Sequence, residues 1–312
     1  MVARPRAPSS AFDEGKPGAC LADVASHRKT RVTDLEGESA TVSAILGIDA
    51  AWTAGRPSGV ALLEERGGRW HCVALAPSYA QFDGLAAGRA VDWQARPSGS
   101  APDLAALLAA SRQLLDGESV QVIAVDMPLS LEPIRERRAA DAAVSRAFGA
   151  QGCAVHSPSA ERPGALADRL RADAENLGYP LATAATPAGQ TPALLEVYPH
   201  PALLRLLDAR YRVPYKVANR RKYWPDVAPD ERLARVLQQL DEIRCALQRE
   251  IDGVPLDVPP LADIASAASL KAIEDTLDAL VCGWVGIRYS AGRCRAYGDD
   301  TAAIWIPTAD GK

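Results

Sequence analysis

The sequence predicts an α/β fold built on a mixed sheet. Three short β-type runs follow one another through tight turn signals, a later β-branched run is apolar at almost every position, and helix-period segments connect and follow them. At 312 residues and 48% hydrophobic, the chain can bury a full core.

Residues 1–41 mix Arg, Pro, Ser, Gly and acids without a sustained period, which predicts a loosely ordered extension ahead of a domain over 42–312. The first strand lies in SAILGIDAAW (43–52) and runs into Asp49. SGVALLEE (58–65) and RWHCVALA (69–76), separated by RGG, read as the next two strands of an antiparallel meander. A loop is predicted over 77–100. In APDLAALLAASRQLLDG, Leu104, Leu107, Leu108, Leu114 and Leu115 fall near helical spacing, closed by Gly117. SVQVIAVDMPLS (119–130) reads as a strand covered on both faces, and it too ends in an acid, Asp126.

A helix over 134–147 then leads into a Pro/Gly/Ser-rich insertion, about 148–192, with a helix near 163–177. A strand at 193–198 carries Glu196 and precedes a helix opened by Pro201. Residues 229–250 form a long amphipathic helix and 269–290 a strongly apolar one. AAIWIP (302–307) closes as a final strand.

Composition excludes several classes. No apolar stretch approaches the roughly 20 residues of a membrane span, and the N-terminus lacks an export pattern, so a cytoplasmic protein without membrane contact is expected. The six cysteines form no C-x-x-C pair, and the four histidines fall at no zinc-ligand spacing relative to them. There is no G-x-x-x-x-G-K-[ST] loop, no G-x-G-x-x-G after a strand and no G-x-S-x-G elbow. GIDAAW resembles the first phosphate loop of sugar kinases, but DMPLSLEP is not the second glycine-rich motif such enzymes need.

What remains is carboxylate chemistry. If the first strand and the 120–126 strand lie parallel and adjacent, about 4.8 Å apart, Asp49 and Asp126 face each other across one crevice. Two buried carboxylates that close repel, and a divalent cation removes the cost. Asp275 and Asp278, three apart in EDTLDALVCGW, share a helical face. An all-oxygen donor set suits Mg2+ or Mn2+, and such ions can activate a water for phosphodiester hydrolysis with no side-chain nucleophile. Asp49, Asp126 and Asp278 are the expected primary ligands, with Asp275 and Glu196 auxiliary.

GIDAAW, IAVDMPLS, LLEVYPHPAL, VPYKVANRRKYW and EDTLDALVCGW, in that order, resemble the DUF429 family, described as predicted nucleases of the RNase H-like fold. The resemblance spans roughly residues 43–307. It implies a mixed five-stranded sheet flanked by helices and a resolvase-like acid set: Asp49 on the first strand, Asp126 on the fourth, and Asp275 with Asp278 on the last helix. Resolvases of that fold usually carry Glu on the fourth strand, and Asp126 is one methylene shorter.

The net charge of -4 leaves no global footprint for nucleic acid, so any such contact is expected at a local basic patch. RLLDARYRVPYKVANRRKYW supplies one, with Arg212, Lys216, Arg220 and Arg221 as candidate phosphate contacts and interleaved Tyr and Trp able to stack on bases. Arg135, Arg137 and Arg138 with Asp141 read instead as a surface helix with internal salt bridges. The expected function is a divalent-metal-dependent nuclease. The alternatives are a non-catalytic binding module of the same fold and a hydrolase or phosphotransferase acting on a small phosphorylated molecule.

Overall fold

The computed structural model describes residues 43–264 and 266–309, and among them eight strands form one mixed sheet. These are β1 (Ala44–Asp49), β2 (Gly59–Arg66), β3 (Arg69–Ala76), β4 (Val122–Val125), β5 (Ala193–Val197), β6 (Ile251–Asp252), β7 (Cys294–Gly298) and β8 (Ala303–Pro307). The helices are α1 (Tyr79–Ala86), α2 (Leu104–Leu114), α3 (Ala139–Phe148), α4 (Ala165–Asn176), α5 (Pro199–Leu206), α6 (Arg220–Tyr223), α7 (Pro229–Glu250) and α8 (Ala267–Ser290). The extension predicted over residues 1–41 lies outside the described residues.

The sheet order is β6-β3-β2-β1-β4-β5-β8-β7. Strands β1, β2 and β3 form the antiparallel meander, and Gly67 and Gly68 close its second turn with φ of +60° and +75° between the paired Arg66 and Arg69. A two-residue turn with both φ positive matches the strand twist, and glycine adopts it without strain. On the other side β4 runs parallel to β1, β5 to β4 and β8 to β5.

The expected five-stranded sheet is therefore corrected to eight strands. Strand β6 is two residues long and leaves no periodic signal, while β7 pairs antiparallel with β8 as an edge in RCRAYG, a segment with few β-branched residues. Helix α1 replaces part of the predicted 77–100 loop. The Ser78 side chain accepts the Gln81 N–H and caps it, and Tyr79 and Phe82 are buried, but eight residues are too few to show a helical period. Pairing in β4 stops at Val125, just before Met127-Pro128, and α5 opens at Pro199 rather than Pro201. Among the described residues, no helix is long and apolar enough to cross a membrane.

Strand alternation sorts the core into two layers. Ile45, Leu63, Val122, Ala124, Leu195 and Val197 pack with α5, α7 and α8, whereas Leu46, Ile48, Leu62, Ile123, Val125 and Leu194 pack with α1, α2 and α4. Helix α8 lies on β1 with its backbone almost in contact with the strand. A Cβ on Gly47 would sit 2.3 Å from the Ala279 carbonyl oxygen and 2.5 Å from the Gly283 nitrogen, and one on Gly59 would sit 2.2 Å from the Asp275 carbonyl oxygen.

Overpacking costs roughly 1–3 kcal/mol where side chains can shift, and here the clash is with backbone. Gly47→Ala is expected to lower the melting temperature by several degrees or more, whereas Gly55→Ala, with open space around it, leaves it within a degree or so. Thermal denaturation of the two variants beside wild type checks this; equal melting temperatures would mean the helix does not need that close approach.

Candidate metal centre

Period two along β1 sends Ile45, Gly47 and Asp49 to the α8 side of the sheet. Val122 and Ala124 do the same on β4, and Asp126 follows them one residue past the last pair, its N–H bonded to the Ile48 carbonyl at 2.9 Å. The expected adjacency of the two parallel strands is thus present. Helix α8 brings Asp275 and Asp278 to the same end.

The carboxylates that converge are Asp49, Asp275 and Asp278, whose oxygens all lie within 4.8 Å of one another. Asp126, expected as a primary ligand, stands outside this group, and Asp275, expected as auxiliary, stands inside it. The cause is the path of α8, which presses on β1 and β2 through Gly47 and Gly59 and carries Asp275 over those strands rather than over β4.

Two lysines and a tyrosine hold the helix acids. Lys216 pairs with Asp278 and lies 3.3 Å from Glu274; Lys271 pairs with Asp275 and lies 3.1 Å from Glu274. The Tyr215 hydroxyl donates to Asp278 Oδ1 at 2.6 Å, and the Val217 N–H donates to Glu274 Oε2 at 2.7 Å. Among the described residues, no hydrogen-bond donor reaches the carboxylate of Asp49 or of Asp126.

The electrostatics follow from this arrangement. Burial first, then Asp275 and Asp278, push Asp49 well above the usual carboxylate range. Burial outweighs Lys216 at Asp126 and raises it to about 7. Asp275 is raised by burial against the pull of Lys271. Burial works against the charge of Lys216, yet Asp278, Tyr215, Glu274 and Asp49 hold it well above the ordinary lysine value, so it stays an ammonium. Glu274 is the exception among the acids: burial would raise it, but the two lysines keep it low and ionised.

Five carboxylates (Asp49, Asp126, Glu274, Asp275, Asp278) thus face two ammonium groups, an excess of three negative charges when all are ionised. The donor set is all oxygen, Asp49 is uncommitted, and each bonded Asp278 oxygen keeps a second lone pair, so the residues fit a hard divalent cation.

Asp49, Asp126 and Asp275 line a cleft of about 730 Å³ that also meets Trp52, Arg56, Arg162, His200, Arg212, Lys216 and Lys271. Of the predicted basic contacts, Arg212 and Lys216 reach this cleft. Arg220 turns back to the Val217 carbonyl at 2.7 Å, and Arg221 is exposed away from the cleft. Lys216 and Arg220 do not share a helix face, because a 3-10 turn over Val217–Asn219 separates Lys216 from α6. Tyr215 is fully buried on Asp278, so its ring offers no stacking surface.

Glu196 also lines the cleft but belongs to another network. It pairs in register with Val125 and so points to the sheet face opposite α8. There Arg138 donates to both its oxygens at 2.6 Å, the Leu129 N–H donates at 2.7 Å, and Arg138 also bonds Asp141 at 2.7 Å. Burial raises Glu196 and these donors oppose the rise. Arg138, expected on a surface helix, is a buried clamp between β5 and the chain that follows Asp126.

Glu274, Lys271 and His200 were not singled out from sequence. The i, i+4 spacing of Lys271 and Asp275 was the available signal for the lysine. At His200, Arg212 approaches Nε2 at 2.6 Å; arginine only donates, so the proton sits on Nδ1, and burial keeps the ring neutral.

A mixed α/β protein with a buried carboxylate centre at the carboxyl ends of its central strands is what the fold and site define. A family model described as "Protein of unknown function (DUF429)" matches residues 47–302, and the chain belongs to that family. No curated protein and no solved structure matches it.

Three outcomes follow from these charges. A carboxyl whose folded pKa is raised keeps more protons than the unfolded chain between its two pKa values, so its contribution to stability falls as pH rises through that window and levels off above it. In metal-free protein, the melting temperature of Asp126→Asn relative to wild type should therefore rise between pH 4 and about 7 and flatten beyond, a trend that differential scanning fluorimetry in EDTA can read. Removing one partner of a buried ion pair costs about 3–5 kcal/mol, so Arg138→Ala should unfold at markedly lower denaturant than wild type. If Glu196 serves only that clamp, Glu196→Gln keeps wild-type Mn2+ affinity; a tenfold loss would return Glu196 to the metal centre.

Proposed function

We propose that the chain is a divalent-metal-dependent nuclease that hydrolyses phosphodiester bonds in nucleic acid. The observation that carries this reading is the convergence of Asp49, Asp275 and Asp278 at the carboxyl end of β1, with Asp49 held by no donor among the described residues. The run β3-β2-β1-β4-β5 inside the larger sheet, with β2 antiparallel to β1, supports an RNase H-like core. Mg2+ or Mn2+, when bound, supplies positive charge to the scissile phosphate and acidifies water.

The protein's own groups divide the remaining work. Tyr215 and Lys216 fix the two oxygens of Asp278, and Lys271 orients Asp275. Arg212 and Lys216 meet the cleft as fixed cations able to receive a phosphate. Asp126, half-buried beside Asp49, is placed to accept a proton in the cleft because its carboxyl titrates near neutrality. The thiols of Cys72, Cys153, Cys245, Cys282 and Cys294 are all free, which fits a reducing cytoplasm as the compartment.

A second reading is favoured by the cleft volume of about 730 Å³, which falls in the range of small-molecule pockets and would suit a small phosphorylated substrate. Salt dependence separates the two, since a polynucleotide releases many counterions and a small substrate few.

Calorimetric titration of Mn2+ is the direct test. Wild type should bind, Asp49→Asn, Asp275→Asn and Asp278→Asn should each weaken binding at least tenfold, and Arg221→Ala should not change it. Cleavage of oligonucleotides should then require the metal and be lost in the same three variants. Absence of Mn2+ binding by wild type, with or without oligonucleotide, would remove the nuclease reading.

A further inference from the structure

Trp52 and Arg162 face each other at the mouth of the cleft, and neither has a role in holding the carboxylates. The Arg162 guanidinium carbon lies over the Trp52 ring, 5.8 Å from its centroid, a cation–π contact that covers the ring face, and both residues line the same cleft as Asp49 and Asp126. Trp52 follows Asp49 by only three positions. Its ring is half-buried against the α1/α2 side of the core, while Arg162 is exposed and reaches across from the segment between α3 and α4.

The backbone on both sides of this pair is braced, so that opening it is left to the Arg162 side chain. On the Trp52 side the Ala51 N–H donates to Ser58 Oγ at 3.0 Å and the Arg56 N–H to the Thr53 carbonyl at 3.2 Å. Gly99 packs so closely on this loop that its Cβ would lie 2.5 Å from the backbone of Gly55 and Arg56. On the Arg162 side, Ser159 and Arg162 exchange backbone hydrogen bonds at 2.9 and 3.1 Å. Arg137 anchors the approach to that turn by donating to Ser157 Oγ at 3.0 Å.

An aromatic ring and a guanidinium plane are the two surfaces on which a nucleobase stacks without regard to sequence, and here they are paired at one cleft. Bases inside a duplex are already stacked on both faces and cannot enter such a gap without being extruded. A cleft of about 730 Å³ takes a nucleotide or two rather than a double helix. The cations that could follow a single backbone, Arg56 and Arg162 at the mouth and Arg212 and Lys216 further in, all line this one cleft of a chain whose net charge is -4.

We propose that Trp52 and Arg162 form a slot for one unpaired base beside the carboxylate centre, so that the substrate is single-stranded nucleic acid or the unpaired end of a strand. The inference rests on the nuclease reading and names its substrate class. The exposed Arg162 side chain lifts from the 5.8 Å contact to the roughly 7 Å that a base stacked on both faces needs, and the phosphate of that base is led toward Lys216 and Arg212.

The test is fluorescence anisotropy with labelled oligodeoxythymidylate and oligouridylate, an abasic oligonucleotide of the same length and a blunt duplex, in calcium, with strand integrity checked on a gel. Stacking of one base is worth roughly a factor of ten in affinity. Trp52→Ala and Arg162→Ala should each weaken binding of the base-bearing single strand about tenfold, with whichever sugar the chain prefers. Trp52→Phe should stay near wild type, and the abasic strand should bind wild type as weakly as the base-bearing strand binds Trp52→Ala. Arg162 is exposed, so its variant keeps the test decisive even if Trp52→Ala loosens the loop. Unchanged affinity in both alanine variants, or equal binding of abasic and base-bearing strands, overturns the slot and leaves the nuclease reading standing. Failure of wild type to bind any of the oligonucleotides overturns both.

Discussion

The site exists because α8 lies on β1 and β2 with no side chain between the backbones. Glycine at 47 and 59 leaves room for the carbonyl groups of Ala279 and Asp275, and Gly283 and Gly286 on the helix leave room for Leu63 and Ile45. An ordinary helix-on-sheet packing keeps the two layers about 10 Å apart, a distance that short aspartate side chains span poorly. Close approach removes that gap. Asp275 and Asp278 then stand within ligand distance of Asp49, although the three come from an edge of the strand and a face of the helix more than 220 residues apart in sequence.

The same closeness creates an electrostatic problem that the fold solves only in part. Lys216 and Lys271 offset the helix acids, and Glu274 serves as the anchor that holds both ammonium groups in place. Asp49 and Asp126 receive no such partner, and their protons are bound more tightly than an exposed aspartate's as a result. Two ammonium groups against five carboxylates leave an excess of three negative charges when all are ionised. Charge of the right sign and hardness is what the arrangement lacks, and a divalent cation has both.

The fold was legible in the sequence where period and punctuation agreed. The meander, the β4 run and the two long helices sit where alternation, the RGG turn and Pro229 put them. Elements too short to complete a period, α1 and β6, were not legible, nor was the edge strand β7. Within the site, Asp49, Asp275 and Asp278 could be picked out because each is an acid in an otherwise apolar run. That Asp275 rather than Asp126 clusters with Asp49 and Asp278 could not, since it depends on which strands α8 crosses, a property of glycine positions on three separate elements. Trp52 looked like any aromatic after a strand; its partner Arg162 lies 110 positions away in a segment without periodicity.

Asp126 and Glu196 show how to tell a buried acid that is structural from one with chemistry left to do. They stand at the carboxyl ends of adjacent parallel strands, one position apart in register, and both border the same cleft. Burial raises the pKa of each. Alternation sends them to opposite faces of the sheet, and on its face Glu196 meets a bidentate arginine and a backbone N–H that occupy both its oxygens. A carboxylate so bound gains nothing from a metal or a proton, and moving it would strand the Arg138 charge in the core. Asp126, one residue beyond its strand and without a donor among the described residues, keeps both oxygens free toward the cleft, so its energy falls when a cation or proton arrives. The distinction lies in what already occupies the lone pairs rather than in depth of burial.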